Sequence, residues 1–171
     1  MSGGATFESE VMRHLDAAHN LARWLARNDQ DAEDVVQEAV LRAYRFFGGF
    51  RGGDARVWLL AIVRNTFYTQ RSQSPAVGSV DEFDEAIHGG EDGDDPQSVL
   101  LRAADAQSLH AALERLTPEF REVLVLRELE ECSYKEIASI TRLKIGTVMS
   151  RLARARARLE RELTAAAGGT T

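Results

Sequence analysis

The chain has 171 residues, 44% of them hydrophobic, which suits one large domain or two small ones with real cores. Its formal net charge is −6, and its one cysteine, Cys132, excludes an internal disulfide and fits a reducing cytoplasm. The longest apolar run, Trp58 to Val63, is too short to span a bilayer, and the N-terminus lacks the basic-then-apolar order of a targeting signal, so neither membrane insertion nor export is expected.

Three helical patterns come first. Phe7, Val11, Leu15, Ala18, Ala22 and Leu25 recur at spacings of three and four, as one amphipathic helix requires. After the acidic start "NDQDAED", Val36, Val40, Ala43 and Phe47 make a second stripe. A third pattern, "DARVWLLAIVRNTFYTQR", opens on Asp54 as a helix N-cap. The glycines of "GGFRGGD" require a loop between the last two.

Charge then separates sharply. Residues 1–76 hold nine basic and nine acidic side chains, residues 77–95 hold eight acids and no base, and residues 96–171 hold twelve bases and ten acids. The stretch from Ser74 to Asp95 mixes Gly, Ser and acids without helical or strand period. It cannot bury enough apolar surface to offset its ordering entropy, so it reads as a flexible acidic linker. The expected organisation is an all-α chain with a domain at 1–73, a linker at 74–95 and a domain at 96–171.

Four helical patterns fill the second domain. Asp95-Pro96 is a start signal, with Leu100, Leu109, Leu113 and Leu116 following. Thr117-Pro118 repeats that signal ahead of Phe120, Val123 and Leu124. "SYKE" has capping-box spacing, with Ser133 as N-cap and Glu136 three residues on, and opens a short helix to about Ile140. The last helix starts near Gly146.

From Thr141 to Arg158 there are six basic residues and no acid. Projected at 100° per residue, Val148, Leu152, Ala155 and Leu159 form a core stripe. Ser150, Ala153 and Ala157 lie opposite, with Thr147 and Arg154 beside them. Arg151 and Arg158 flank one side and Arg156 the other. A ridge of small side chains edged by arginines can approach a second surface closely and reach phosphates or base edges. A short capped helix, a few linking residues and such a helix make a helix-turn-helix, whose second helix enters the DNA major groove. A solvated basic face or a membrane-surface helix is the alternative; the membrane version lacks Trp, Phe or Leu on the outer face.

At this point the residues resemble a family. "LTPEFREVLVLRELEECSYKEIASI" with "IGTVMSRLARARARL" resembles domain 4 of the extracytoplasmic-function sigma factors of bacterial RNA polymerase. "DAEDVVQEAVLRAYRFFGGFRGGDARVWLLAIVRNTFYTQR" resembles their domain 2. The resemblance implies that Asp34, Gln37, Glu38, Leu41 and Arg42 dock on the β′ clamp helices of core polymerase. It implies that the loop from Phe50 to Arg56 captures an unstacked base of the −10 element, with Arg51, Arg56, Trp58, Asn65, Tyr68, Thr69 and Arg71 at or near −10 positions. Trp58 also reads as an ordinary core aromatic. The last helix would read the −35 element through Ser150, Ala153 and Arg154, with Lys144, Thr147, Arg151 and Arg156 nearer phosphates or the turn. Implied partners are core polymerase, including its β flap, promoter DNA and an anti-sigma factor. The chain departs from the family at Arg142, where Gly is usual, at Lys144, where Pro is common, and after Thr69, where only Arg71 supplies the expected arginine.

A self-sufficient helix-turn-helix regulator is the competing reading. It would need a self-complementary surface, whereas the first domain offers an acidic-polar helix face and an aromatic-containing helix. No enzyme, cofactor or metal is expected: His14, His19, His88 and His110 are scattered, and no glycine-rich loop follows a strand.

Overall fold

The computed structural model describes residues 6–72 and 105–168, which fall into two units, each with its own core. The acidic stretch 74–95, the Asp95-Pro96 start signal, Leu100 and His88 lie outside the described residues. Among the described residues there is no strand.

In the first unit the opening pattern is not one helix. Thr6 and Ser9 form a capping box on the single turn α1, Phe7–Glu10, and a 3-10 turn, Met12–His14, leads into α2, Leu15–Ala26. The break lies at Val11, whose carbonyl accepts from His14 N at 2.9 Å, three residues on rather than four. A 3-10 turn advances the chain by three residues, so the spacing of apolar positions survives the interruption. Val11, Ala18, Leu21, Ala22 and Leu25 are all buried.

Asn28 caps α3, Asp29–Phe46, by accepting from Asp31 N at 2.8 Å. Its buried side is Ala32, Val35, Val36, Ala39 and Ala43. Val40 and Phe47, expected in that stripe, are only half-buried. The stripe is turned towards alanines, whose small side chains let α3 lie close to its neighbours. A 3-10 turn, Phe47–Gly49, comes next. Gly52 and Gly53 then take φ values of +85° and +93°, which glycine adopts without a Cβ clash. Asp54 Oδ1 accepts from Val57 N at 3.1 Å, the expected N-cap of α4, Ala55–Ser72. Helices α2, α3 and α4 pack against one another in all three pairs.

The second unit starts with α5, Ala106–Glu114, capped by Asp105, which accepts from Ser108 N at 2.7 Å. Helix α6, Pro118–Leu124, begins at Thr117-Pro118, where the extended Thr117 backbone and the proline set the start without a side-chain cap. Arg121 is 1% exposed and donates through Nη1 to Glu114 O at 3.2 Å and Leu116 O at 3.0 Å, so a buried guanidinium satisfies the last carbonyl of α5 and one in the turn beyond it. The chain then widens into a π turn, Val125–Leu129, with Glu130 N bonded to Val125 O at 3.0 Å.

The capping box forms as its spacing predicts. Ser133 Oγ accepts from Glu136 N at 3.0 Å, and Ser133 N donates to Glu136 Oε1 at 2.8 Å. Helix α7, Tyr134–Thr141, ends at Arg142 in the left-handed region, φ 61° and ψ 27°. Helix α8 runs Ile145–Gly168. Val148, Leu152, Ala155 and Leu159 are each no more than 1% exposed, so the projected core stripe is the buried one. Cys132 is buried as well.

Candidate nucleic-acid interface

The α7–turn–α8 segment has the expected helix-turn-helix form. The family's glycine position at the turn is held by Arg142 in a left-handed conformation, which a side chain adopts at a cost of roughly 1 kcal/mol. Arg142 and Lys144 are exposed, so the strained turn carries two charges outward. Along α8, Ala153 is exposed, and Thr147 and Arg154 are half-buried. These residues form the open part of the projected reading face.

Three expected contributors are placed differently. Arg156 is 5% exposed, and its Nη2 donates to Glu128 Oε1 at 2.9 Å. It therefore does not lie open to phosphate, because Glu128 of the π turn draws its guanidinium inward. Arg151 is 8% exposed; it lies 60° from Val148 around α8, close enough to the core stripe to be covered with it. Ser150, although projected opposite the core stripe, is only 6% exposed, and its hydroxyl donates back to Thr147 O at 3.1 Å rather than outward. Arg158 is exposed, with Nε 3.6 Å from Glu162 Oε1.

In the first unit, Trp58, Asn65 and Thr69 succeed one another at seven- and four-residue spacing on α4 and share one strip with Ile62. Asn65 is exposed, and the Thr69 hydroxyl donates to Asn65 O at 2.8 Å. Tyr68 lies about 80° further round, with the Arg64 guanidinium 4.5 Å from its ring centre. Arg56 and Arg71 leave α4 on other sides, so the helix does not bring all seven −10 candidates onto one face. Arg51 is exposed in the loop.

Trp58 is half-buried in an aromatic cluster that sequence periodicity does not reveal. Its ring lies 5.1 Å from Phe50 and 6.4 Å from Phe47. Phe47 stacks on Phe50 at 5.8 Å, and Phe7 sits edge-on to Phe47 at 5.6 Å and to Tyr44 at 5.3 Å. These rings prop the glycine loop against the start of α4. His14 stands near the same place: burial, then Arg13, hold its pKa below the ordinary value, against the opposing pull of Asp54.

The outer face of α3 carries Asp34, Gln37, Glu38, Leu41 and Arg42. Asp34, Gln37 and Leu41 are exposed, Leu41 by 58%, while Glu38 and Arg42 pair at 3.1 Å. Tyr44, 69% exposed, extends the apolar surface of this face, whereas Phe46, 59% exposed, leaves the helix about 140° round from Leu41. The i, i+3 spacing of Leu41 and Tyr44 is visible in the sequence and is enough to place Tyr44 beside Leu41 on this face.

Residues 11–74 match the family Sigma-70 region 2, and residues 106–159 match Sigma-70, region 4. The chain is 33% identical over 165 residues to the RNA polymerase sigma-H factor of Pseudomonas aeruginosa, covering 92% of this chain and 86% of that one. It is 35% identical over 141 residues to the ECF RNA polymerase sigma-E factor of Escherichia coli, covering 78% and 74%. Among solved structures it resembles the sigma factor RpoE in complex with the anti-sigma factor NepR from Bartonella quintana. That match has a TM-score of 0.68 and 31% identity, and covers 92% of this chain and 96% of that one.

Proposed function

The chain belongs to the extracytoplasmic-function sigma factors of the sigma-70 family, and on that premise we propose how its residues divide the work of promoter selection. A protein of this family is not itself an enzyme; it binds core RNA polymerase and directs initiation at promoters with −35 and −10 elements. Here residues 1–73 take the core polymerase and the −10 element, and residues 96–171 take the −35 element. Asp34, Gln37, Glu38, Leu41 and Arg42 meet the β′ clamp helices, and the second unit meets the β flap. Trp58, Asn65 and Thr69, with Arg51 in the loop, face the −10 strand. Arg142, Lys144, Thr147, Ala153 and Arg154 face the −35 duplex. An anti-sigma factor holds the protein inactive, as NepR accompanies RpoE in the similar complex, and the site of action is the cytoplasm.

One observation carries this reading: region 2 and region 4 both match, in order, in a single chain. Region 4 alone would serve a self-sufficient regulator, which leaves the first unit and its exposed α3 face without a role. The experiment is co-purification with core polymerase. Asp34→Lys together with Glu38→Lys should abolish it while helical circular dichroism stays intact. The Glu38–Arg42 pair is a surface i, i+4 contact worth about 0.2–0.5 kcal/mol, and each like-charge i, i+4 pair the reversal creates costs a similar amount, too little to unfold the unit. Unchanged co-purification would remove α3 from the interface.

A further inference from the structure

We propose that Arg156 is a positioning residue for −35 reading, acting through Glu128 rather than on DNA; this rests on the sigma-factor reading. The pair joins residues 28 positions apart, at 2.9 Å, with the two side chains 5% and 25% exposed. It links the π turn to the helix that faces the duplex.

The π turn supplies the geometry. It closes the helical run that began at Pro118, with Glu130 N bonded to Val125 O at 3.0 Å and Cys132 N to Leu126 O at 2.8 Å, and so sets Arg127 and Glu128 immediately before the reading motif. Two consecutive residues of that turn then hold the two helices of the reading motif. Arg127 Nη1 donates to Cys132 O at 3.1 Å and its guanidinium lies 4.3 Å from the Tyr134 ring centre, which fixes the entry to α7. Glu128 holds Arg156 of α8.

The apolar stripe Val148, Leu152, Ala155 and Leu159 seats α8 on its unit. Apolar burial is non-directional and leaves a helix some freedom to roll. A charge-assisted hydrogen bond is directional. A partly buried ion pair adds little net stability; here its directional bond favours one roll of α8 over its neighbours. Arg154, two residues from Arg156, needs its guanidinium placed within about 0.5 Å to discriminate bases. The pair therefore fixes the roll of α8, and with it the base that Arg154 meets.

The test uses holoenzyme assembled from the full chain and core polymerase, bound to single-base −35 variants at several salt concentrations. Wild-type holoenzyme should prefer one −35 sequence; an absence of any preference overturns the sigma-factor reading and this proposal with it. Given that preference, Arg156→Ala and Glu128→Ala should each lower discrimination about tenfold at the position read by Arg154. Neither should change the slope of log affinity against log salt. The swap Glu128→Arg with Arg156→Glu should restore discrimination. Should Arg156→Ala lose its helical signal, Glu128→Gln, which keeps the side-chain volume, carries the same two readouts. The proposal is overturned if Arg156→Ala weakens all sites alike and lowers the salt slope by about one while Glu128→Ala matches wild type. It is equally overturned if the swapped protein folds but discriminates no better than the single variants.

Discussion

Arg154 and Arg156 stand two positions apart on α8 and meet different surroundings. Arg154 keeps part of its side chain open on the side away from the Val148–Leu159 stripe, whereas Arg156 turns inward to Glu128. Arg154→Ala should cost about 1–3 kcal/mol against the preferred −35 site and relax preference at one base pair. Binding of holoenzyme to single-base variants measures it, and an equal loss at every variant would make Arg154 a phosphate contact instead. At Arg142 the backbone itself is strained. A non-glycine residue at φ 61° is held there by the turn, so Arg142→Gly should raise the melting temperature, by up to about 1 kcal/mol of stability. A lower melting temperature would mean that Arg142 makes a compensating contact worth more than the strain. A helical projection puts Arg154 on the side away from the stripe because it needs only the 3.6-residue period. It misplaced Arg156 because the acid that turns it inward lies 28 residues earlier in the chain, and no local pattern encodes that contact.

At the scale of the element, caps were legible and irregular turns were not. Asp54, Ser133 and Glu136 act where their spacing places them, since a cap is a hydrogen bond between residues three apart. Ser133→Ala should therefore destabilise the second unit by about 1 kcal/mol. Urea unfolding monitored by circular dichroism would register a lower midpoint with an unchanged slope; an unchanged midpoint would mean that the packing of Ile137 and Ile140 holds α7 without its cap. The 3-10 turn at Met12–His14 preserves the apolar spacing of a continuous helix, so the period could not reveal the break. The π turn in "VLREL" contains only residues that a helix accepts readily, and it is the fold around it that imposes the extra residue. The ring cluster of Phe7, Tyr44, Phe47, Phe50 and Trp58 joins separate elements. Its members were visible one by one, but their meeting depends on how α1, α3 and α4 converge.

Across the whole molecule, charge divides by region: balanced over residues 1–76, strongly acidic over 77–95 and slightly basic beyond. The net charge of −6 thus conceals a chain whose basic residues gather where α7 and α8 would meet phosphate, and binding there should weaken with salt. Two small units suit a protein that must touch two promoter elements and a polymerase, and neither unit alone accounts for the region 2 and region 4 matches. The most direct measurement is run-off transcription by core polymerase on a template carrying −35 and −10 elements selected by this chain. A transcript with one defined start is expected when the chain is present, none with core alone, and none when Asp34 and Glu38 are both changed to lysine. A chain that binds its duplex equally well with and without core, and yields no transcript, would contradict the sigma-factor reading.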